Sequence, residues 1–130
     1  FRETLPLLNR APLAFISAKE RTNVVQMLDV CRDLRAQADF TLGTGELNRF
    51  FDDALVYRSP RIKSSRRPRI YYATQADRTP PTFVLFVNDK RLIGKNYLRY
   101  LENCLRKDLP FKRVPLHLVL RDGPDPRESN

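Results

Sequence analysis

Residues 82–88 read Thr-Phe-Val-Leu-Phe-Val-Asn, a run apolar on consecutive positions. A half-exposed strand would alternate polar and apolar residues. A run that does not alternate belongs in the centre of a sheet, with neighbours on both edges. Its first neighbour is in the preceding segment, 69–75, where Ile70, Tyr71, Tyr72 and Thr74 carry strong β propensity. The link 76–81 contains Pro80-Pro81 and is short enough for an antiparallel pair. A third strand is expected over 114–121, with Leu116, Leu118 and Leu120 inward and His117, Val119 and Arg121 on the other face. Pro115 suits the start or edge of that strand.

Two helices accompany these strands. One is expected from about Glu46 to Val56, capped by Thr44. Its apolar face is Leu47, Phe50, Phe51, Ala54 and Leu55, while Asn48, Arg49, Asp52 and Asp53 turn to water. The other runs over 95–108, with Asn96 as a cap and Tyr97, Leu98, Leu101, Cys104 and Leu105 on its apolar side. From residue 46 the order helix, strand, strand, helix, strand predicts an α/β (α+β) domain: a three-stranded sheet with helices on one face.

The upstream part has a different character. Residues 12–16, Pro-Leu-Ala-Phe-Ile, read as a short buried strand, followed by a loop at Ser17-Ala18-Lys19. A helix capped by Thr22 or Asn23 follows, with Val24, Val25, Met27, Leu28, Cys31, Leu34 and Ala38 at helical spacing. Strand, loop and helix make part of an α/β unit, not a free-standing domain. Residues 123–130, with two prolines and no large apolar side chain, are expected to be a disordered tail.

Charge separates the two halves. Residues 1–56 carry seven basic and eight acidic side chains; residues 57–130 carry seventeen basic and seven acidic ones, so the second half holds the whole net charge of +9. That half suits a polyanionic partner. Within 58–69, Arg58, Arg61, Lys63, Arg66, Arg67 and Arg69 occur without an intervening acid, and Pro60 and Pro68 exclude a continuous helix. Arginine and lysine neutralise phosphates, and Tyr71 or Tyr72 beside them could stack on unpaired bases or simply pack on the helices.

Catalytic patterns are missing. The sequence has no GxxxxGK[ST] phosphate loop. Gly43-Thr44-Gly45 is a turn into a helix, Asp52 and Asp53 point in different directions, and His117 is the single histidine. Cys31 and Cys104 lie far apart in apolar helical patterns and are expected to be buried free thiols, with no metal site. No long apolar run or signal peptide is present, which predicts a soluble cytoplasmic protein with no membrane partner. The chain begins at Phe1, without an initiator methionine, and is expected to be a fragment.

Several runs resemble the C-terminal domain of the bacterial GTPase family Der, also called EngA. They are Ile70-Tyr71-Tyr72-Ala73-Thr74-Gln75, the stretch Pro80 to Asn88, and Tyr97 with Arg99 to Asn103, Leu105 and Arg106. Phe15-Ile16-Ser17-Ala18-Lys19 looks like the last motif of a Ras-like GTPase domain, and Leu47-Asn48 opens the expected connecting helix. The resemblance covers roughly residues 10–121. It implies that residues 1–40 are the final helix–strand–helix portion of a second GTPase domain, that 41–122 form a KH-like domain, and that 123–130 are the tail. It also implies that Ser17, Ala18 and Lys19 hold the positions of a guanine-contacting loop. GTP and Mg would then belong to the full-length parent, with no cofactor and no GTPase activity in this chain. The resemblance implies a KH-like module serving large-subunit assembly; from their charge, Arg58, Arg61, Lys63, Arg66, Arg67, Arg69, Arg106, Lys107, Lys112 and Arg113 are expected to contact ribosomal RNA phosphates. Residues 106–113 contain no glycine, so the usual GXXG clamp of KH domains is absent. The alternative is an intramolecular domain that docks on adjacent GTPase domains of the parent and regulates them.

Overall fold

A computed structural model describes residues 9–58 and 66–123. The chain forms helix α1 (Val24–Asp39), helix α2 (Thr44–Tyr57), strands β1 (Ile70–Arg78) and β2 (Pro81–Val87), a 3-10 turn at Lys90–Leu92, helix α3 (Lys95–Asp108) and strand β3 (His117–Asp122). The sheet has the order β1-β2-β3. The run apolar on both faces is thus the central strand, as its composition requires. β1 pairs with it antiparallel, with Ala73 opposite Leu85. β3 pairs with it parallel, with Leu118 opposite Phe83 and Leu120 opposite Leu85. A parallel neighbour needs a crossover connection, and α3 supplies it.

The core lies between the helices and one face of the sheet. Leu47, Phe51 and Ala54 of α2 and Tyr97, Leu101 and Leu105 of α3 enclose Ala73, Phe83, Leu85 and Val87. Phe51, Phe83 and Phe111 are fully buried. Each such side chain contributes roughly 1.5–3 kcal/mol relative to exposure. Phe111 reaches the core from the loop after α3, edge-on to Phe40 at 5.5 Å and to Phe83 at 5.6 Å.

Polar residues close the open edge of β1. Asn48 Nδ2 donates to the Ala73 carbonyl at 3.0 Å, and its Oδ1 accepts from the Ala73 amide at 2.8 Å. Asn48 was expected to face water. Its amide instead replaces a missing strand partner, because an outer strand leaves alternate backbone groups unpaired. Gln75 does the same for the linker, accepting from the Leu42 amide at 3.1 Å and donating to the Phe40 carbonyl at 3.1 Å.

Other expectations shift. Gly43 and Gly94 stand at the caps of α2 and α3, in place of Thr44 and Asn96. Asn23 occupies the cap of α1 but in the left-handed conformation (φ 59°), without a side-chain capping bond. Its side chain donates to the Phe15 carbonyl at 3.1 Å instead. β1 runs on to Arg78, leaving only Thr79 and Pro80 between the strands. β3 begins at His117, three residues later than expected, with Leu118 and Leu120 packed on the core and His117, Val119 and Arg121 exposed.

Residues 12–16 are not a buried strand. They belong to no strand, and Leu13, Phe15 and Ile16 are exposed, because no ladder partner lies beside them among the described residues. Cys31 is likewise exposed, not buried: α1 turns only Leu34 and Ala38 toward the core, leaving Val25, Leu28 and Cys31 outside. Cys104 is half-buried. The expected tail beyond Gly123 lies outside the described residues, as do Arg61 and Lys63.

Candidate nucleic-acid interface

At the end of the sheet where β1 begins, Asn88 builds a small clamp. Its Oδ1 accepts from the Arg69 amide at 2.9 Å, its Nδ2 donates to the Arg67 carbonyl at 2.8 Å, and its own amide donates to the Arg69 carbonyl at 3.1 Å. Residues 67–69 are thereby laid along the end of β2 with the Arg67 and Arg69 side chains exposed. Neither forms an ion pair among the described residues. Arg66 is exposed next to them.

The neighbouring charges are already matched. Asp89 accepts from the Arg91 amide and from both Nε and Nη2 of its side chain, at 2.8–2.9 Å. These bonds, the side-chain ones first, hold the Asp89 carboxyl down at about 2, with a smaller effect from the Arg66 charge. Lys90 faces Asp122 at 3.5 Å. The unmatched positive charge of this end therefore rests on Arg67 and Arg69.

A second basic group sits elsewhere. Lys112 and Arg113 follow Phe111, whose burial against Phe83 fixes the loop, and the Arg113 amide donates to Gln37 Oε1 at 2.9 Å. Together with Asn9, Arg10, Ala11, Pro12 and Leu13 they line a cleft of about 390 Å³. Arg10 is anchored there by a 3.1 Å bond from Nη2 to Asn103 Oδ1. Phe83 lies near the start of β2 and Asn88 just past its end, so the two basic groups are anchored toward opposite ends of the central strand. Lys107 occupies a third place, a groove of about 500 Å³ between α2 and α3 shared with Asp53 and Asp108. Arg58 lies over the Tyr100 ring, its guanidinium carbon 5.3 Å from the ring centre.

Arg106 does not belong to the surface. It is 8% exposed. Its Nη1 donates to the carbonyls of Phe111 at 2.8 Å and Val114 at 2.7 Å, while Nε and Nη2 reach Glu102 Oε1 at 2.9 and 2.8 Å. A guanidinium held in this way, with four of its five N–H donors engaged and the residue buried, organises the loop that leads into β3 and is not presented to a phosphate. Its charge was expected beside that of Lys107 on the surface, but the Glu102 carboxylate one turn before it and the Phe111 and Val114 carbonyls draw it inward.

The Ser17-Ala18-Lys19 segment forms a tight turn. Ser17 and Thr22 exchange backbone bonds of 3.1 and 3.0 Å, and Ser17 Oγ accepts from the Glu20 amide at 3.2 Å. Ala18 and Lys19 are exposed at its tip.

Three further residues join these surfaces. Arg10 joins Lys112 and Arg113 only through chain folding across about a hundred residues, which no local pattern signals. Phe86 and Arg121 stand opposite one another on neighbouring strands. Strand alternation does signal that both face away from the core.

Sheet, crossover helix and surface arginines define the class as a KH-like α/β domain with a basic surface. Residues 42–121 match the family described as the KH-domain-like C-terminal domain of EngA bacterial GTPase enzymes, and the chain belongs to that family. Among its curated relatives, a protein named GTPase Der from Natranaerobius thermophilus is 39% identical over 92% of this chain. Proteins of the same name from Maridesulfovibrio salexigens and Persephonella marina are 36% and 39% identical over 93% and 98% of it. The chain spans 27–28% of the length of these relatives. No helix among the described residues is long and apolar enough to cross a membrane.

Proposed function

We propose that this chain is an RNA-contacting module of a cytoplasmic Der-type GTPase that acts in assembly of the large ribosomal subunit. The observation that carries this reading is the pair of exposed arginines, Arg67 and Arg69, held by the Asn88 clamp and forming no ion pair among the described residues. The cleft lined by Arg10, Lys112 and Arg113 supports it. Arg66, Lys107 and Arg58, with Arg61 and Lys63 in the segment before the clamp, add long-range attraction. Residues 1–40 then end a second GTPase domain, 41–122 are the KH-like unit, and 123–130 a tail. Ser17, Ala18 and Lys19 are its guanine-side turn, and GTP and Mg act only in the full-length parent. Without a phosphate loop in its sequence, this chain turns over no GTP.

The test is fluorescence anisotropy of a labelled large-subunit ribosomal RNA fragment at several salt concentrations. Replacing Arg66, Arg67 and Arg69 together with alanine is expected to weaken binding and to flatten the dependence of log K on log salt by roughly 0.7–0.9 per lost phosphate contact. Unchanged affinity and slope would remove these arginines from the interface.

A second reading has its own observation. Leu13, Phe15, Ile16, Val25 and Leu28 are exposed on the N-terminal part. An apolar surface of this kind suits docking on adjacent GTPase domains. If docking is the main role, the chain binds separately prepared GTPase domains more tightly than RNA.

A further inference from the structure

The central strand is apolar on both faces, yet the core claims only one of them. Phe83, Leu85 and Val87 point at the helices. Thr82, Val84 and Phe86 point the other way, and none of the three belongs to the core cluster. The register builds this second face in rows. Tyr72, Phe86 and Arg121 lie side by side across the three strands, and Thr74, Val84 and Val119 form the next row. Tyr72 and Phe86 have ring centres 6.1 Å apart at a 44° tilt. Val84 is 8% exposed and makes a floor, while Val119 is 39% exposed. His117 stands opposite Thr82 in the last row.

Chemistry and charge suit one kind of occupant. Aromatic rings and a guanidinium plane on neighbouring strands, about 4.8 Å apart, offer successive flat surfaces on which bases stack. The row nearest the Asn88 clamp is the aromatic one, so Arg67 and Arg69 stand at its end, where a backbone phosphate can be met. Arg121 forms no ion pair among the described residues. Among the described strand residues, the one carboxylate that the register puts on this face is Asp77, at the hairpin end, and its Oδ1 accepts from the Arg78 and Thr79 amides.

We infer that this sheet face is a stacking platform for unpaired RNA bases, with Tyr72, Phe86 and Arg121 as its stacking row. The inference rests on the RNA reading above and sharpens it: the ligand is single-stranded, and its bases, not only its phosphates, are held. It assigns the face a role that needs no GXXG clamp, because stacking takes the place of a gripped backbone.

The experiment titrates the 130-residue chain against a labelled oligouridylate of about eight nucleotides and against a duplex RNA of the same length. Phe86→Leu keeps an apolar side chain but removes the ring. It is expected to lower affinity for the single strand about 5- to 100-fold while leaving duplex binding and the salt slope unchanged. Phe86→Tyr, which keeps a stackable ring, is expected to bind as the parent does, and circular dichroism of both variants checks the fold. Should Phe86→Leu misfold, Arg121→Gln at the strand end provides the second variant, with a several-fold loss for the single strand. Parental binding of the single strand by folded Phe86→Leu overturns the platform. So does binding of duplex alone, which leaves the RNA reading standing. Absence of binding to either RNA at low salt overturns both.

Discussion

Residues 9–40 and residues 42–123 obey the same local rules and end in different states. Both parts place apolar side chains at helical spacing. In the second part nearly all of these find partners, and Leu47, Phe51, Leu101 and Leu105 are at or near zero exposure. In the first, Leu13, Phe15, Ile16, Val25 and Leu28 remain exposed, and α1 meets the core only through its last turns, at Leu34 and Ala38. The backbone tells the same story. Asn48 and Gln75 satisfy the edge of β1 and the linker before α2 with four side-chain bonds. The turn before α1 holds Arg21 and Asn23 at positive φ, and α1 has no side-chain cap. For a residue such as arginine that conformation is unfavourable. The ion pairs of α1, Arg32 with Asp29 and Arg35 with Asp39, are exposed and contribute only about 0.3–0.5 kcal/mol each. Amphipathic spacing thus creates a demand for burial, and only a neighbouring surface meets it.

The contrast can be broken most directly at Arg106. Arg106→Ala leaves the Phe111 and Val114 carbonyls without their donor inside the second region, and a loss of about 3–5 kcal/mol in denaturant unfolding is expected. A variant of parental stability with weakened RNA affinity would return Arg106 to the surface role its sequence neighbourhood suggested. Next comes Asn48→Ala, which orphans the Ala73 amide and carbonyl at the sheet edge; about 1–3 kcal/mol should be lost, with faster amide exchange in β1. Stability equal to the parent would mean that water serves that edge equally well.

Alkaline pH probes the same region through α3. Burial raises the Tyr100 hydroxyl to about 12, helped by Cys104, and burial raises Tyr97 further still. A raised folded value favours the protonated fold. The contribution is complete below the ordinary tyrosine value of 10 and is lost as pH climbs from there through about 12. Phenolate absorbance should therefore show a late-titrating class that joins the rest when the chain is unfolded. A single transition in the folded chain would contradict the burial of these rings. The smallest effect is expected at Leu28: since it is already 47% exposed, Leu28→Ser should shift stability by no more than about 0.5 kcal/mol. A loss of 2 kcal/mol or more, on the scale of core substitutions, would show that α1 is held as firmly as α2 and α3.

Much of the fold was legible locally. The continuous apolar run at 82–88 announced the central strand, and the bounds of α3 agree with the expected 95–108. Leu116, Leu118 and Leu120 turned inward as their alternation required. Signals that failed were those whose meaning depends on a neighbour. Residues 12–16 have strand composition, but a strand exists only in a ladder. Cys31 shares the helical spacing of α1, but spacing does not say which part of a stripe will be covered. Asn48 looked like a solvated residue and proved to be a strand's missing partner.

The candidate site divides in the same way. Sequence alone determined that the basic excess lies in residues 57–130 and that no phosphate loop is present, because charge and motif are properties of the chain itself. Only the tertiary structure decided which arginines are available. It buried Arg106 under two carbonyls, set Arg58 over Tyr100, left Arg67 and Arg69 exposed, and brought Arg10 to Lys112 and Arg113. The reason is physical: a formal charge is fixed by residue type, but its ability to meet a phosphate depends on desolvation and on which donors are already engaged, and both are set by the residues that folding brings alongside.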